Sequence, residues 1–334
     1  MHKITPPLLL AFPLSDFDAS SQSEKILLAP VKIEGKWGYI NKTGKIVINL
    51  QFDEAYPFQE GLAMVKLDSK WSYIDKTGKI VIKPQFDDTR GFREGLANIK
   101  LDSKWGYINK TGKIVINPRF DMAWHFEEGL AVIGLDGKLG YIDKTGKIVI
   151  NPQFDIAYPF KEGLGGIKLG DKMGYIDRTG KMVIKPQFDF ASHFTEGLAA
   201  IKLGDKWGYI NKVGEIAINL QQLDGALFFQ EGLASIGLYG DWKWGYINKT
   251  GKIVINPQFD EAHPFQEGLA VVKLGSKYGY IDKTGGIVIS LRFDKAYLFQ
   301  EGLATIKLED KYGYIDRTGK MVIEPQFDEI GYFH

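Results

Sequence analysis

Short apolar runs rich in Val, Ile, Tyr and Trp recur along the whole chain, each broken after four to six residues by a polar turn signal. Near the N-terminus the runs are residues 37–40, 45–48 and 62–67. Their length and β-branched, aromatic content predict strands. Asn41-Lys42-Thr43-Gly44 separates the first two. Asn opening and Gly closing a turn is the chemistry of a type I turn followed by a left-handed residue. Asp68-Ser69 makes a second tight turn into the next run. The expectation is a three-stranded antiparallel meander, with residues 51–61 as a fourth short strand or an ordered loop. Ile46 and Ile48 point one way and Val47 the other, so the strands read as apolar on both faces. Sheets of that kind are covered on both sides, and successive small sheets must stack face to face.

The pattern is periodic. A Lys opens each unit at Lys36, Lys70, Lys104, Lys138, Lys172, Lys206, Lys243, Lys277 and Lys311, with every step 34 residues except one of 37. A fixed period in this range marks a stacked or circular array, because one unit cannot bury its apolar face alone. The prediction is an all-β chain of nine antiparallel meander repeats. Open arrays need polar capping units. Here the ninth unit is as apolar as the middle ones, and the run 28–33 supplies a partner strand ahead of the first Lys. A propeller-like ring is therefore favoured over an open β-solenoid or superhelix, since closure hides strand edges.

Residues 25–334 read as one repeat domain. Residues 1–24 read as a tail or an extra edge strand, with Phe17-Asp18 echoing the repeat. The alternative for the tail is a signal peptide, but its apolar stretch is short and bracketed by Pro6, Pro7 and Pro13. Localisation follows: cytoplasmic is favoured, secreted if the tail is a signal.

Composition narrows the chemistry. The 42 basic and 41 acidic side chains nearly cancel, which argues against nucleic acid as a partner. Cysteine is absent, so disulfides and thiolate metal sites are excluded. No apolar run approaches a transmembrane span. Tyr39, Ile40, Gly44, Ile48, Asp53 and Phe58 have identical counterparts in all nine units, which points to shared packing. Asp53 and Glu60 recur too regularly for catalysis, which needs one asymmetric constellation. They are expected to accept turn amides or to pair with repeated Lys residues, while the two loop Lys rows, including Lys36 and Lys42, could line a rim but read as a solvated, locally neutralised surface. The Trp37 position admits Leu139, Met173, Tyr278 and Tyr312, so it reads as a packing site. His125, His193 and His263 stand in separate units with no close second His, so no metal site is expected. No catalytic residue or cofactor is expected either.

Variation concentrates just before the invariant Phe. The candidate binding residues are Tyr56, Arg90, Trp124, Tyr158, His263 and Tyr297, spaced one per unit; the next column runs through His125, His193 and Phe228. Constant frame with aromatic and Arg-rich variable positions is the composition of a recognition surface. The alternative is drift at unconstrained positions. Unit six adds residues near Gln221-Gln222 and around Tyr239 and Trp242, two more candidates.

The segments KWGYINKTGKIVIN and QEGLAMVKL closely resemble the bacterial WG, or KWG, repeat, over about residues 28–333. Ser72 and the non-Trp copies depart from the pattern. The resemblance implies an all-β interaction or accessory module and no reaction. The expected function is a non-catalytic binding or scaffold module for a protein or peptide partner. A cell-wall or other glycan-binding module is the alternative, with a glycan-processing enzyme ranked after it.

Overall fold

The computed structural model describes residues 26–220, 223–238 and 243–334. Nine four-stranded antiparallel sheets follow one another as blades, and no helix occurs among the described residues. The second blade is Glu54–Ala55, Ala63–Leu67, Lys70–Ile74 and Ile80–Phe86, in that spatial order. Blades 3 to 9 repeat it, beginning at Asp88, Met122, Ile156, Phe190, Leu223, Glu261 and Lys295. Blade 1 takes its last three strands from Leu28–Ile33, Lys36–Asn41 and Ile46–Phe52, and its first from the C-terminal Glu329–Ile330. Val31 pairs with Ile330 and Lys32 with Glu329. Backbone bonds run both ways between Leu28 and His334, at 3.0 and 3.1 Å. The protein is a closed nine-bladed β-propeller, as the repeat phase led us to expect. The structural blade is out of step with the sequence unit: the short fourth strand foreseen at 51–61 belongs to the following blade.

The core lies between blades. Tyr39, Ile48 and Phe52 of blade 1 pack on Phe58, Val65 and Ile74 of blade 2. The closing interface uses the same columns, with Tyr314, Ile323 and Phe327 of blade 9 against Val31, Ile40 and Phe333 of blade 1. Such contiguous apolar burial is the main favourable term in the fold.

The invariant residues explain the geometry. Asn41 Oδ1 accepts from the amides of Thr43 and Lys45, and Gly44 takes φ +80°, which glycine adopts without steric penalty. At Gly38 a Cβ would lie 2.5 Å from the Ile48 carbonyl oxygen. The cause is a bulge: Trp37 faces Phe52 while Tyr39 faces Ile48. Glycine therefore follows Trp because the neighbouring backbone is too close for a side chain.

One expectation needs correction. The fourth strand is not covered on both faces. Ile48 is buried, but Ile46 and Val47 are 41% and 44% exposed. This strand is the perimeter edge of each blade, so its three-residue apolar run has a single packed position. The tail at residues 1–24 lies outside the described residues, as do Gln221, Gln222, Tyr239 and Trp242. No helix among the described residues is long and apolar enough to cross a membrane.

Candidate functional site

Invariant polar residues are spent on joining blades. Asp121, between blades 3 and 4, accepts from Lys104 Nζ at 2.5 Å and from the Asp136 amide at 3.0 Å. Lys104 and that turn amide hold its carboxyl below the usual range. Asp155, Asp189 and Asp260 make the same pair of contacts. At the opposite end of the strands, Glu162 of blade 5 accepts from Gly197 N (3.0 Å) and sits 3.0 Å from Lys212 Nζ, both in blade 6. Burial pushes its pKa up, but Lys212 and Gly197 outweigh this and hold it low. Each Glu of the Glu-Gly pair adopts φ of 51–53°, an uncommon conformation for a non-glycine residue. With the following Gly also positive, Gln59-Glu60-Gly61-Leu62 forms a two-residue hairpin closed by bonds of 2.8 and 3.1 Å, as a primed turn requires. The Lys rows are thus neutralised locally, as foreseen. The Trp column is half-buried in most blades, and Lys Nζ groups stand 5.3–6.0 Å from the rings of Trp37, Trp71, Trp105 and Trp207.

The variable residues occupy a different place. Trp124 and Tyr158 line a cavity of about 460 Å³ together with Phe190, His193, Leu227 and Phe228. These residues and Arg93 come from five successive blades, which meet around one space only at the axis of the ring. Tyr56 and Arg90 line a second cavity of about 810 Å³ that shares Arg93 and His125 with the first. The two are parts of one axial space. His263 and Tyr297 line a further cavity of about 330 Å³ with Tyr278 and Tyr332. All six described candidates therefore lie on the inner wall.

Their surroundings differ blade by blade. Tyr56 packs on Trp71 at 5.8 Å, and Arg90 lies over Trp105 at 5.6 Å while bonding Asp88 at 3.0 Å. Trp124 Nε1 approaches Met122 Sδ at 3.3 Å. Tyr297 stands between Tyr312 and Tyr332, with ring centroids 6.5 Å away in each case. Burial and the neighbouring Tyr312 push the Tyr297 phenol up to about 12. Burial holds His263 below the histidine range against the pull of Glu261.

Two columns on this wall escaped the sequence reading. One opens each blade: Glu54, Asp88, Met122, Ile156, Phe190, Glu261, Lys295 and Glu329. The other precedes the Glu-Gly turn and includes Gln59, Arg93, Glu127 and Lys161. Both vary between units as much as the column that was singled out, and that variation was the available signal. Arg93 Nη1 donates to His125 Nε2 at 2.6 Å. A guanidinium can only donate, so this imidazole accepts and is neutral. Burial, then Arg93, lower the His125 pKa; burial and Lys161 lower that of His193. Glu127 lies 3.8 Å from Arg93 and 3.6 Å from Lys161.

Among the described residues no group of three or more His, Asp or Glu is arranged to hold a metal ion. Every carboxylate with a resolved shift is shifted downward, either for the reasons seen at Asp121 and Glu162 or, in the hairpin row of Asp75 and Asp143, first through the Thr hydroxyl two residues on.

The family model described as "WG containing repeat" matches nine consecutive segments: 37–71, 71–105, 105–138, 140–172, 173–207, 207–242, 244–278, 278–312 and 312–334. No curated protein sequence matches the chain. Among solved structures, one titled "Crystal structure of the eukaryotic initiation factor" is similar at TM-score 0.67 and 10% identity, over 92% of this chain and 98% of that one. That likeness supports the propeller fold alone. Kluyveromyces lactis Hsv2p is similar at TM-score 0.44 and 7% identity, over 71% and 95% of the two chains. BamB from Moraxella catarrhalis gives 0.42 and 10%, over 77% and 93%.

Proposed function

The chain belongs to the WG-repeat family, and on that premise we propose that it is a non-catalytic binding module whose inner wall receives a protein or peptide partner. The observation that carries this is the division of labour between columns. Invariant Tyr, Asp, Glu and Lys residues hold one blade to the next, whereas variable aromatic, His and Arg residues face the axial space. Large aromatic and Arg side chains around a sheltered space are what protein interfaces use as anchors. Absence of reaction is part of the same proposal. A general acid needs a raised carboxyl pKa, and the shifted carboxylates here are all lowered, by Lys, backbone amides or Thr hydroxyls.

The test presents immobilised protein to a peptide array and to cell-wall polysaccharide side by side. Retention of peptides by the native chain, lost in Trp124→Ala and Tyr158→Ala variants that still fold, supports the reading. Retention of polysaccharide alone would transfer the function to glycan binding.

A further inference from the structure

Nine repeated blades allow each inner-wall position to be compared around the ring, and one arc stands apart. At the first position of a blade, Glu54, Glu261 and Glu329 are each tied to a Lys of the neighbouring strand at 2.7–2.8 Å. In blades 4, 5 and 6 the same position is Met122, Ile156 and Phe190. In blade 4 even the partner Lys is missing, because Met122 faces Gly134. The next variable positions of this arc are Trp124, Tyr158, Ser192 and Leu227, with Phe228 beside the last, so a single small hydroxyl interrupts a run of large aromatic and aliphatic groups. Met122, Phe190 and Trp124 are 44%, 41% and 38% exposed. Exposed large apolar groups gathered in one place mark an interaction site far better than single ones do.

Charge gathers beside this arc, on blades 3 to 5. Arg93 and Lys161 bracket the single carboxylate of Glu127 at 3.8 and 3.6 Å, whereas the inter-blade Lys–Asp pairs close to 2.5–2.7 Å. With the His125 imidazole accepting from Arg93, two cations share the one acid Glu127, leaving a positive excess beside the apolar cavity. A repeating polymer read identically by every blade would require the same groups in every blade. This wall breaks that symmetry on one side.

We propose that the arc of blades 3–7 binds a single peptide segment bearing aromatic or long aliphatic side chains together with a carboxylate. The apolar side chains enter the cavity of about 460 Å³, a size within the range of ~300–1,000 Å³ for ligand sites. The carboxylate faces Arg93 and Lys161, where charge-assisted bonds are stronger than neutral ones. The proposal rests on the peptide-binding reading above and names its ligand chemistry and its place.

The test is fluorescence anisotropy on the full chain with three labelled peptides of matched length. One combines Phe and Leu with Asp and Glu, one combines Phe and Leu with Lys and Arg, and one combines Ser and Gly with Asp and Glu. The first should bind, and about tenfold or more weaker to Trp124→Ala or Phe190→Ser, as truncation of buried anchors implies. An Arg93→Gln/Lys161→Gln double variant should bind it several-fold more weakly and with less salt dependence. Val47→Ser, on the exposed perimeter strand of blade 1, should leave affinity unchanged, and thermal melts should show all variants folded. Equal binding of the basic or the Ser/Gly peptide, or indifference to both Trp124→Ala and Phe190→Ser, would overturn the proposal. Loss of acidic-peptide binding through Tyr297→Ala alone would displace the site while keeping the peptide function. Failure of all three peptides with polysaccharide retained would overturn both.

Discussion

The Tyr141 hydroxyl donates to the backbone carbonyl of Tyr158 at 2.8 Å, crossing from blade 4 to blade 5. An invariant residue thereby fixes the backbone of a variable one. The same bond joins Tyr107 to Trp124 and Tyr280 to Tyr297, and each ring also packs on the Phe that follows, at 4.9 Å for Tyr141 and Phe160. Burial pushes the Tyr141 phenol well above its ordinary range, so it remains a donor at every practical pH. Tyr141→Phe should keep the packing and lose the bond, costing about 1 kcal/mol as a partly buried carbonyl loses its donor. Urea denaturation measures it; an unchanged midpoint would show that the bond contributes nothing.

Closure of the ring depends on the C-terminal segment. Phe333 is buried in the interface between blades 9 and 1, so Phe333→Ala should cost about 3 kcal/mol or more, in the range for buried Phe truncation. Because the first and last described strands meet there, size-exclusion chromatography should show a larger hydrodynamic radius at denaturant concentrations where the native protein is still compact. A variant as stable and compact as the native chain would contradict a closure held by this strand.

Glycine after Trp can be tested from both directions. At Gly106 a Cβ would stand 2.5 Å from the Ile116 carbonyl oxygen and 2.6 Å from Pro118 N. Gly106→Ala should therefore destabilise by about 2 kcal/mol, as overpacking against backbone does. Blade 2 already carries Ser72, whose hydroxyl donates to the Ile82 carbonyl at 2.8 Å. Ser72→Gly should change the unfolding free energy by less than about 1 kcal/mol, the lost bond offsetting the relieved crowding. A Gly106→Ala protein of native stability would remove the steric account.

The repeated carboxylates set the acid limit. Lys104 and the turn amide depress the Asp121 pKa in the folded state, as Lys172 and Gly204 do for Asp189. A depressed folded pKa contributes stability that is full above the unfolded value, about 4 for Asp, and is lost as pH falls through the folded value. Thermal stability should be nearly flat from pH 7 to about 5 and fall progressively below about 4. Asp121→Asn should soften that fall. A melting temperature that rises on acidification would contradict the sign.

The frame was legible because each of its requirements is written nine times: Gly44 for a positive φ, Asp53 for two donors, Tyr39 and Phe58 for the interface. The Glu-Gly hairpin was not, because its strand is two residues long and Glu is a poor guide to left-handed backbone. Its conformation is held by contacts from the next blade, which local sequence does not carry. Ile46 and Val47 misled for a related reason, since a perimeter strand keeps β-prone residues without covering them. At the site, the variable column was visible, but the apolar arc was not. Met122, Phe190, Arg93 and Lys161 lie in other columns, and only the ring brings them to the wall that holds Trp124.

The central claim is that invariant columns hold the ring while variable columns bind, and one paired measurement addresses it. Melting temperature and affinity for a peptide recovered from the array should be determined for the native chain, for Trp124→Ala/Tyr158→Ala, and for Tyr141→Phe. The double variant should melt within a few degrees of native and bind about tenfold or more weakly, as loss of two anchors implies. Tyr141→Phe should melt lower and, below its transition, bind within a few-fold of native. Full affinity in the folded double variant, or equal loss of stability and binding in both proteins, would contradict the account.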